Sequence, residues 1–197
     1  MTGSTILSSE AALRVGTGSV KIICSKKTLP IYSLKFPSAL KVEINNLNLL
    51  KKLIIKERDS IFLIGPGAGV NELTRKKTKL ILKNSKYAII DADALTCFKN
   101  NPKELYSLLD KNKIITPHIK EFHAIFPTIS KKISNYEKIV KALKKCKCNI
   151  LLKGANTLIS SSTGKIILNK HTSSELAVIG SGDVLSGLVA SLVGQKK

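Results

Sequence analysis

The sequence predicts an α/β fold: a mostly parallel sheet with helices on both faces and an antiparallel edge. Three observations predict it. Short β-branched runs, each bounded by polar or Gly/Pro residues, recur along the 197 residues, as buried strands do. Helix-like stretches lie between them, and repeated strand–helix–strand order is how a parallel sheet is laid down. Around residues 156–168 that order breaks into two short runs joined by Ser-Ser-Thr-Gly, a hairpin signal that places an antiparallel edge there.

Taken in order, a helix is expected over Ile6–Val15, then a strand at Ser19–Cys24 (SVKIIC). A helix over Leu47–Glu57 leads to the strand Ile61–Ile64, and a helix over Glu72–Lys83 to the strand Tyr87–Ile90. Glu104–Leu109 is helix-like ahead of the strand Lys113–Ile115. Lys120–Ile125 and Tyr136–Lys145 precede the strand Ile150–Leu152, and an apolar, helix-compatible run from Val184 to Val193 closes the pattern. No internal repeat or linker divides the chain, so residues 1–197 are expected to form one domain.

Composition narrows the function classes. Hydrophobic content of 43% is that of a globular chain, and no apolar run reaches the ~18–20 residues that span a bilayer. No signal peptide is visible, which makes cytoplasm the expected compartment. The four cysteines lack metal-ligand spacing and are expected to be reduced structural thiols. A net charge of +20 invites a nucleic-acid reading, but Arg14, Arg58 and Arg75 are the only arginines, the lysines are spread along the chain, and aromatics are 5%. Nucleic-acid surfaces cluster charge and use Arg forks and aromatic platforms, so no specific nucleic acid is expected.

Several motifs fall at strand ends, where open α/β sheets bind ligands. The most informative is AVIGSGDVLSG at 177–187. Gly180 and Gly182 let backbone approach an anion, and the first N–H groups of the following helix point at it with the helix dipole behind them. Asp183 stands where a carboxylate takes a proton from an attacking hydroxyl, or, equally, where it caps the helix. GPGAG at 65–69 lacks the third glycine of a dinucleotide fingerprint and reads as another anion-touching loop or a tight turn. In DADAL at 91–95, Asp91 and Asp93 could hold Mg²⁺ or order a polar ligand, with capping of the next helix the better reading for Asp93. His118, in TPH at 116–118, is either a substrate contact or a capping imidazole. Lys153, Gly154, Ala155, Asn156 and Thr157 form a cationic, small-residue strand exit suited to a nucleotide.

GPGAG, DADAL, TPHIKEF, LLKGANT and IGSGDVLSG, in that order and after the N-terminal segment 1–18, resemble the ADP-dependent NAD(P)H-hydrate dehydratases of the ribokinase-like superfamily. The similarity covers nearly the whole chain. It implies a three-layer ribokinase-like sandwich and the repair of hydrated NADH or NADPH: the S epimer is dehydrated at the expense of ADP, with ATP the alternative, giving AMP and phosphate. It further implies that Asp183 is the base and that Gly180, Ser181 and Gly182 form the anion hole. Lys153, Gly154, Ala155, Asn156, Thr157 and Gly182 would hold the AMP portion. Ser4, Gly67, His118 and Asp183 would contact the damaged dinucleotide, and Mg²⁺ would accompany the nucleotide phosphates. No membrane partner is implied, and homo-oligomerisation is left open.

The chain departs from the family pattern in places. Ile119 and Lys120 stand where Pro-Gly is usual after the histidine, and Ser4 where alanine is usual. The family's strand ahead of Met1–Gly3 and its helices after Gly194 have no counterpart in the sequence. An exposed sheet edge and low thermal stability are the expectation that follows. A non-catalytic remnant that retains nucleotide binding is the alternative to a working enzyme.

Overall fold

The structure, a computed structural model, describes residues 1–171 and 173–195. Its larger sheet has the order β3-β4-β5-β6-β7-β8, made of Ile61–Ile64, Tyr87–Ile90, Lys113–Ile115, Asn149–Leu152, Thr157–Ser160 and Ile166–Asn169. β3 to β6 pair in parallel, and β6-β7-β8 pair antiparallel through the expected hairpin. Register matters for function here. Ile64 stands opposite Ile90, Ile90 opposite Ile115, and Ile115 opposite Ile150. The parallel strands therefore end level, and the segments after them leave from one edge.

A second, two-stranded parallel sheet pairs β1 (Lys21–Cys24) with β2 (Leu40–Glu43). Between them lies α2 (Leu29–Lys35), which starts with Pro30 in its first turn. Neither β2 nor α2 was evident from the sequence. Leu29-Pro30 reads as a turn, and LKVE is too short and too charged to stand out as a strand. A separate small cluster of Ile22, Cys24, Tyr32, Phe36 and Ala39 holds this unit together.

The helices are α1 (Thr2–Arg14), α3 (Leu47–Lys56), α4 (Glu72–Asn84), α5 (Ala92–Thr96), α6 (Pro102–Tyr106), α7 (Ile119–Ile125), α8 (Asn135–Leu143) and α9 (Ser181–Gln195). Adjacent residues of β3 show the layering, because successive strand side chains point to opposite faces. Phe62 packs into the main core with Leu50 and Ile54 of α3 and Ile81 of α4. Ile61 instead meets α9, where a Cβ on Gly194 would lie 3.7 Å from its Cγ1. The sheet thus lies between α3–α4 and α9–α1, the expected three layers. α1 and α9 touch backbone to backbone: a Cβ on Gly187 would lie 2.1 Å from the Ser8 carbonyl oxygen.

The main core runs from Phe62 through Ile90, Phe98, Ile115 and Phe122 to Leu152. Capping fixes the helix entries: Asn46 and Asn71 accept from Leu49 and Thr74 N–H, and Ser134 forms a capping box with Glu137. At the opposite end of the strands Lys113 is buried, its ammonium donating to the Ser85 and Lys86 carbonyls, and burial holds its pKa below the usual lysine range. All four cysteines are thiols, with Cys146 and Cys148 buried side by side. Among the described residues no helix is long and apolar enough to cross a membrane.

Candidate active site

Asp91 follows directly on the last residue of β4, and its side chain is 1% exposed. Burying a carboxylate demands partners, and two arrive from distant parts of the chain. Lys153, just past β6, donates to Oδ1 at 2.7 Å, and the Ser186 hydroxyl of α9 donates to Oδ2 at 2.5 Å. The Ser186 oxygen also lies 3.0 Å from the Gly182 carbonyl. Lys153 is fixed from its backbone too, donating its N–H to the Pro117 carbonyl at 2.9 Å, and it pairs as a parallel bridge with His118. Its ammonium stands 4.0 Å from Glu121. DADAL, TPHIKEF and LLKGANT thereby meet at Lys153, partly through its ammonium and partly through its backbone.

The start of α9 completes this convergence. Gly180 adopts φ +92°, a left-handed conformation, and the helix opens at Ser181. The Val184 N–H closes the first turn on the Gly180 carbonyl, so the N–H groups of Gly182 and Asp183 precede any intrahelical bond. A Cβ on Gly182 would come within 3.7 Å of the Lys153 ammonium. The Lys153 ammonium therefore lies beside the helix entrance, an arrangement that can hold an anion. Asp183 is the third helical residue rather than an N-cap, and its carboxylate has no partner among the described residues.

The GPGAG loop lies against the same strand ends. Gly65 has φ +131°, and a Cβ there would fall 1.7 Å from the Asp91 carbonyl oxygen, so only glycine fits. Gly67 accepts from the Met1 amino group at the entrance to α1, where Ser4 is buried. Gly69 N–H donates to the Asp93 carboxylate at 2.8 Å. This corrects the capping expected of Asp93. The residue sits inside α5, whose N-cap position is Asp91, and it binds the glycine loop instead; Asp91 caps nothing, since both its oxygens are engaged. α1 also meets the α9 entrance, with Leu7 2.7 Å from where a Cβ on Gly180 would be.

His118 takes the capping alternative with one edge of its ring. Nδ1 accepts from Lys120 and Glu121 N–H, and Glu121 accepts from His118 N–H in return. The other nitrogen, on a half-exposed ring, lies 3.4 Å from Glu121. Gly154, Ala155 and Asn156 are exposed, and the Thr157 hydroxyl closes their turn on the Gly154 carbonyl at 3.0 Å. Among the described residues no three His, Cys, Asp or Glu side chains group as a metal cage. Sequence reasoning missed Ser186 and the central place of Asp91. A serine three residues after Asp183, inside an otherwise apolar helix face, was the available signal.

A family model described as NAD(P)H-hydrate dehydratase matches residues 1–197. The bifunctional NAD(P)H-hydrate repair enzyme Nnr of Dictyoglomus turgidum is 30% identical, over 98% of this chain and 40% of its own length. The ADP-dependent (S)-NAD(P)H-hydrate dehydratase of Staphylococcus aureus is 28% identical, over 98% of this chain and 68% of its own. The chain thus spans about 40% of the bifunctional relatives and two thirds of the shorter ones. Among solved structures, a ribokinase-like superfamily protein from Enterococcus faecalis superposes with TM-score 0.84 at 26% identity, over 98% of this chain and 67% of that one. An ADP/ATP-dependent NAD(P)H-hydrate dehydratase from Bacillus subtilis, co-crystallized with ATP/Mg²⁺ and soaked with CoA, gives TM-score 0.73 at 25% identity, over 98% and 70%.

Proposed function

This chain belongs to the NAD(P)H-hydrate dehydratase family, and on that premise we propose that it restores the S epimer of hydrated NADH or NADPH at the expense of ADP. The observation that carries the reading is the unpartnered Asp183 at a helix entrance that faces the Lys153 ammonium. Asp183 takes the proton of the ring hydroxyl as its oxygen attacks the terminal phosphorus of ADP, and AMP departs. The hydroxyl becomes a phosphate ester, a far better leaving group than hydroxide. Phosphate then leaves with the C–O electron pair while the neighbouring ring carbon loses a proton, restoring the double bond.

Gly180, Ser181 and Gly182 receive the transferred group on their backbone donors. Lys153 neutralises nucleotide phosphate, and Gly154, Ala155, Asn156 and Thr157 give the nucleotide an open, small-residue bed. Ser4, Gly67 and His118 line the dinucleotide side, with His118 offering the nitrogen not used in capping. ATP is the alternative phosphoryl donor, as the Bacillus subtilis relative is described as ADP/ATP-dependent. The carboxylates do not suit a resident metal. Both oxygens of Asp91 are held by Lys153 and Ser186, and one oxygen of Asp93 accepts from the Gly69 N–H. Mg²⁺ is accordingly assigned to the nucleotide phosphates and not to a protein cage.

Asp183→Asn tests the reading, since asparagine keeps the shape but cannot take the proton. Single-turnover dehydration with ADP is expected to fall by about 10²–10⁴-fold, with ADP affinity by calorimetry nearly unchanged. Full activity in the variant removes Asp183 from the chemistry. Tight oligonucleotide binding at physiological salt, with no adenine-nucleotide binding, would transfer the function to the chain's positive charge.

A further inference from the structure

A cleft of about 940 Å³ between the two sheets, walled on one side by Ser8, Ser9 and Ala12 of α1, reaches the glycine loop at Gly65 and Gly67 and so belongs with the site already described. A second cavity, of about 610 Å³, shares no residue with it. This one is bounded by α7 and by the segment that leads from α7 to α8. Lys120 and His123 of α7 line it with Ser130 and Lys131 of the segment, and Ala124 and Ile129 supply apolar lining. No carboxylate lines it among the described residues.

A further cation lies near. Lys138 of α8 is 6% exposed, and its ammonium donates at 3.1 Å to the amide oxygen of Asn135, a neutral partner. Burial first, then the Lys138 and Lys131 ammonium groups, hold the His123 imidazole below the usual histidine range, so both ammonium groups stand close enough to act on the ring. The acids of this stretch are engaged elsewhere. From residue 119 to 143 the carboxylates are Glu121 and Glu137, against Lys120, Lys131, Lys132, Lys138 and Lys141. Glu121 turns back to accept the His118 N–H at 2.9 Å. Glu137 closes the α8 capping box on the Ser134 N–H and hydroxyl. A desolvated ammonium without a counter-charge is costly, and further cations beside it raise that cost. The region therefore carries positive charge that its own chain leaves unbalanced.

We propose that this cavity is a second anion site, separate from the entrance to α9, and that it takes a compact, multiply charged anion of the phosphate class. Lys120, Lys131 and Lys138 supply the charge for more than one negative oxygen. The Ser130 hydroxyl accepts from the Lys132 N–H at 3.2 Å, which leaves its own hydrogen to donate to a ligand. The volume suits pyrophosphate or a small phosphate ester, with the body of an ester resting on Ala124 and Ile129. A nucleic-acid strand fits less well, because the lining holds no arginine and no aromatic ring on which a base could stack. The site stands apart from the proposed dehydration, since none of its lining residues is assigned to the dinucleotide or to ADP.

The test is imidazole NMR on the 197-residue protein, whose three histidines, His118, His123 and His171, read this cavity and the strand-end site separately. Pyrophosphate and glycerol phosphate are titrated in at constant ionic strength, with sodium chloride as the control. The His123 ring resonances are expected to move saturably, with a raised His123 pKa as the anion offsets the lysines. Replacing both exposed lysines, Lys120→Gln with Lys131→Gln, is expected to raise the half-saturating concentration by at least about tenfold and to leave the His118 response as it was. The tighter of the two probes tells an inorganic ligand from an esterified one. A His123 shift that chloride reproduces, or that survives the double substitution, overturns the proposal, as does a response confined to His118. An oligonucleotide that displaces pyrophosphate from His123 at physiological salt overturns it in favour of a nucleic-acid face.

Discussion

Replacing Asp91 with asparagine tests the network that assembles the site. The carboxylate is 1% exposed and receives two hydrogen bonds, one from an ammonium at 2.7 Å and one from a hydroxyl at 2.5 Å. Asparagine preserves the volume but removes the charge and turns an N–H toward either Lys153 or Ser186. The one carboxylate then left near the Lys153 ammonium, among the described residues, is Glu121, 4.0 Å away. Breaking a buried ion pair from one side costs about 3–5 kcal/mol, but the Lys153 side chain is 18% exposed, so water recovers part of that. A loss of about 2–3 kcal/mol is expected, or a fall of roughly 4–12 °C in Tm at this chain length. Scanning calorimetry measures it, and a cycle with Lys153→Met apportions it; a coupling of about 0.5–3 kcal/mol marks direct contact. A variant that melts within about 1 °C of the parent, or zero coupling to Lys153, refutes the reasoning.

Two further outcomes are expected. Gly187→Ala places a Cβ 2.1 Å from the Ser8 carbonyl oxygen and must separate α1 from α9, costing about 1–3 kcal/mol or more, whereas Gly3→Ala, with nothing within 4 Å, leaves Tm unchanged or raised; calorimetry on the pair checks it. The Tyr106 hydroxyl donates to the Ile125 carbonyl, and burial, followed by nearby Cys146, pushes its pKa up to about 12. Folding therefore favours the neutral phenol, a contribution intact below the unfolded value of about 10 and lost as pH rises toward about 12. Urea midpoints across that window should fall less steeply for Tyr106→Phe than for the parent.

The sheet was legible in the sequence because its strands are short β-branched runs cut off by Gly, Pro or charge, and because Ser-Ser-Thr-Gly announces a hairpin. The glycine-bearing entrance to α9 was legible for the same local reasons. What escaped was whatever depends on partners far away in the chain. The role of Asp91 is set by Lys153 and Ser186, 62 and 95 residues distant, and neither spacing nor periodicity brings these together. Asp93 looked like a cap because caps are the usual use of an aspartate before a helix; the Gly69 N–H, 24 residues back, claims it instead. β2 and α2 escaped because their small cluster around Tyr32 and Phe36, rather than strong local pattern, makes them fold.

α1 is a wall shared by the cleft between the sheets and the entrance to α9. One face lines the cleft between the sheets, while Leu7 and Ser8 abut the entrance and body of α9. With the backbones in contact at Gly187, α1 cannot shift without α9. A side chain at Gly187 would therefore disturb the cleft wall and the α9 entrance together.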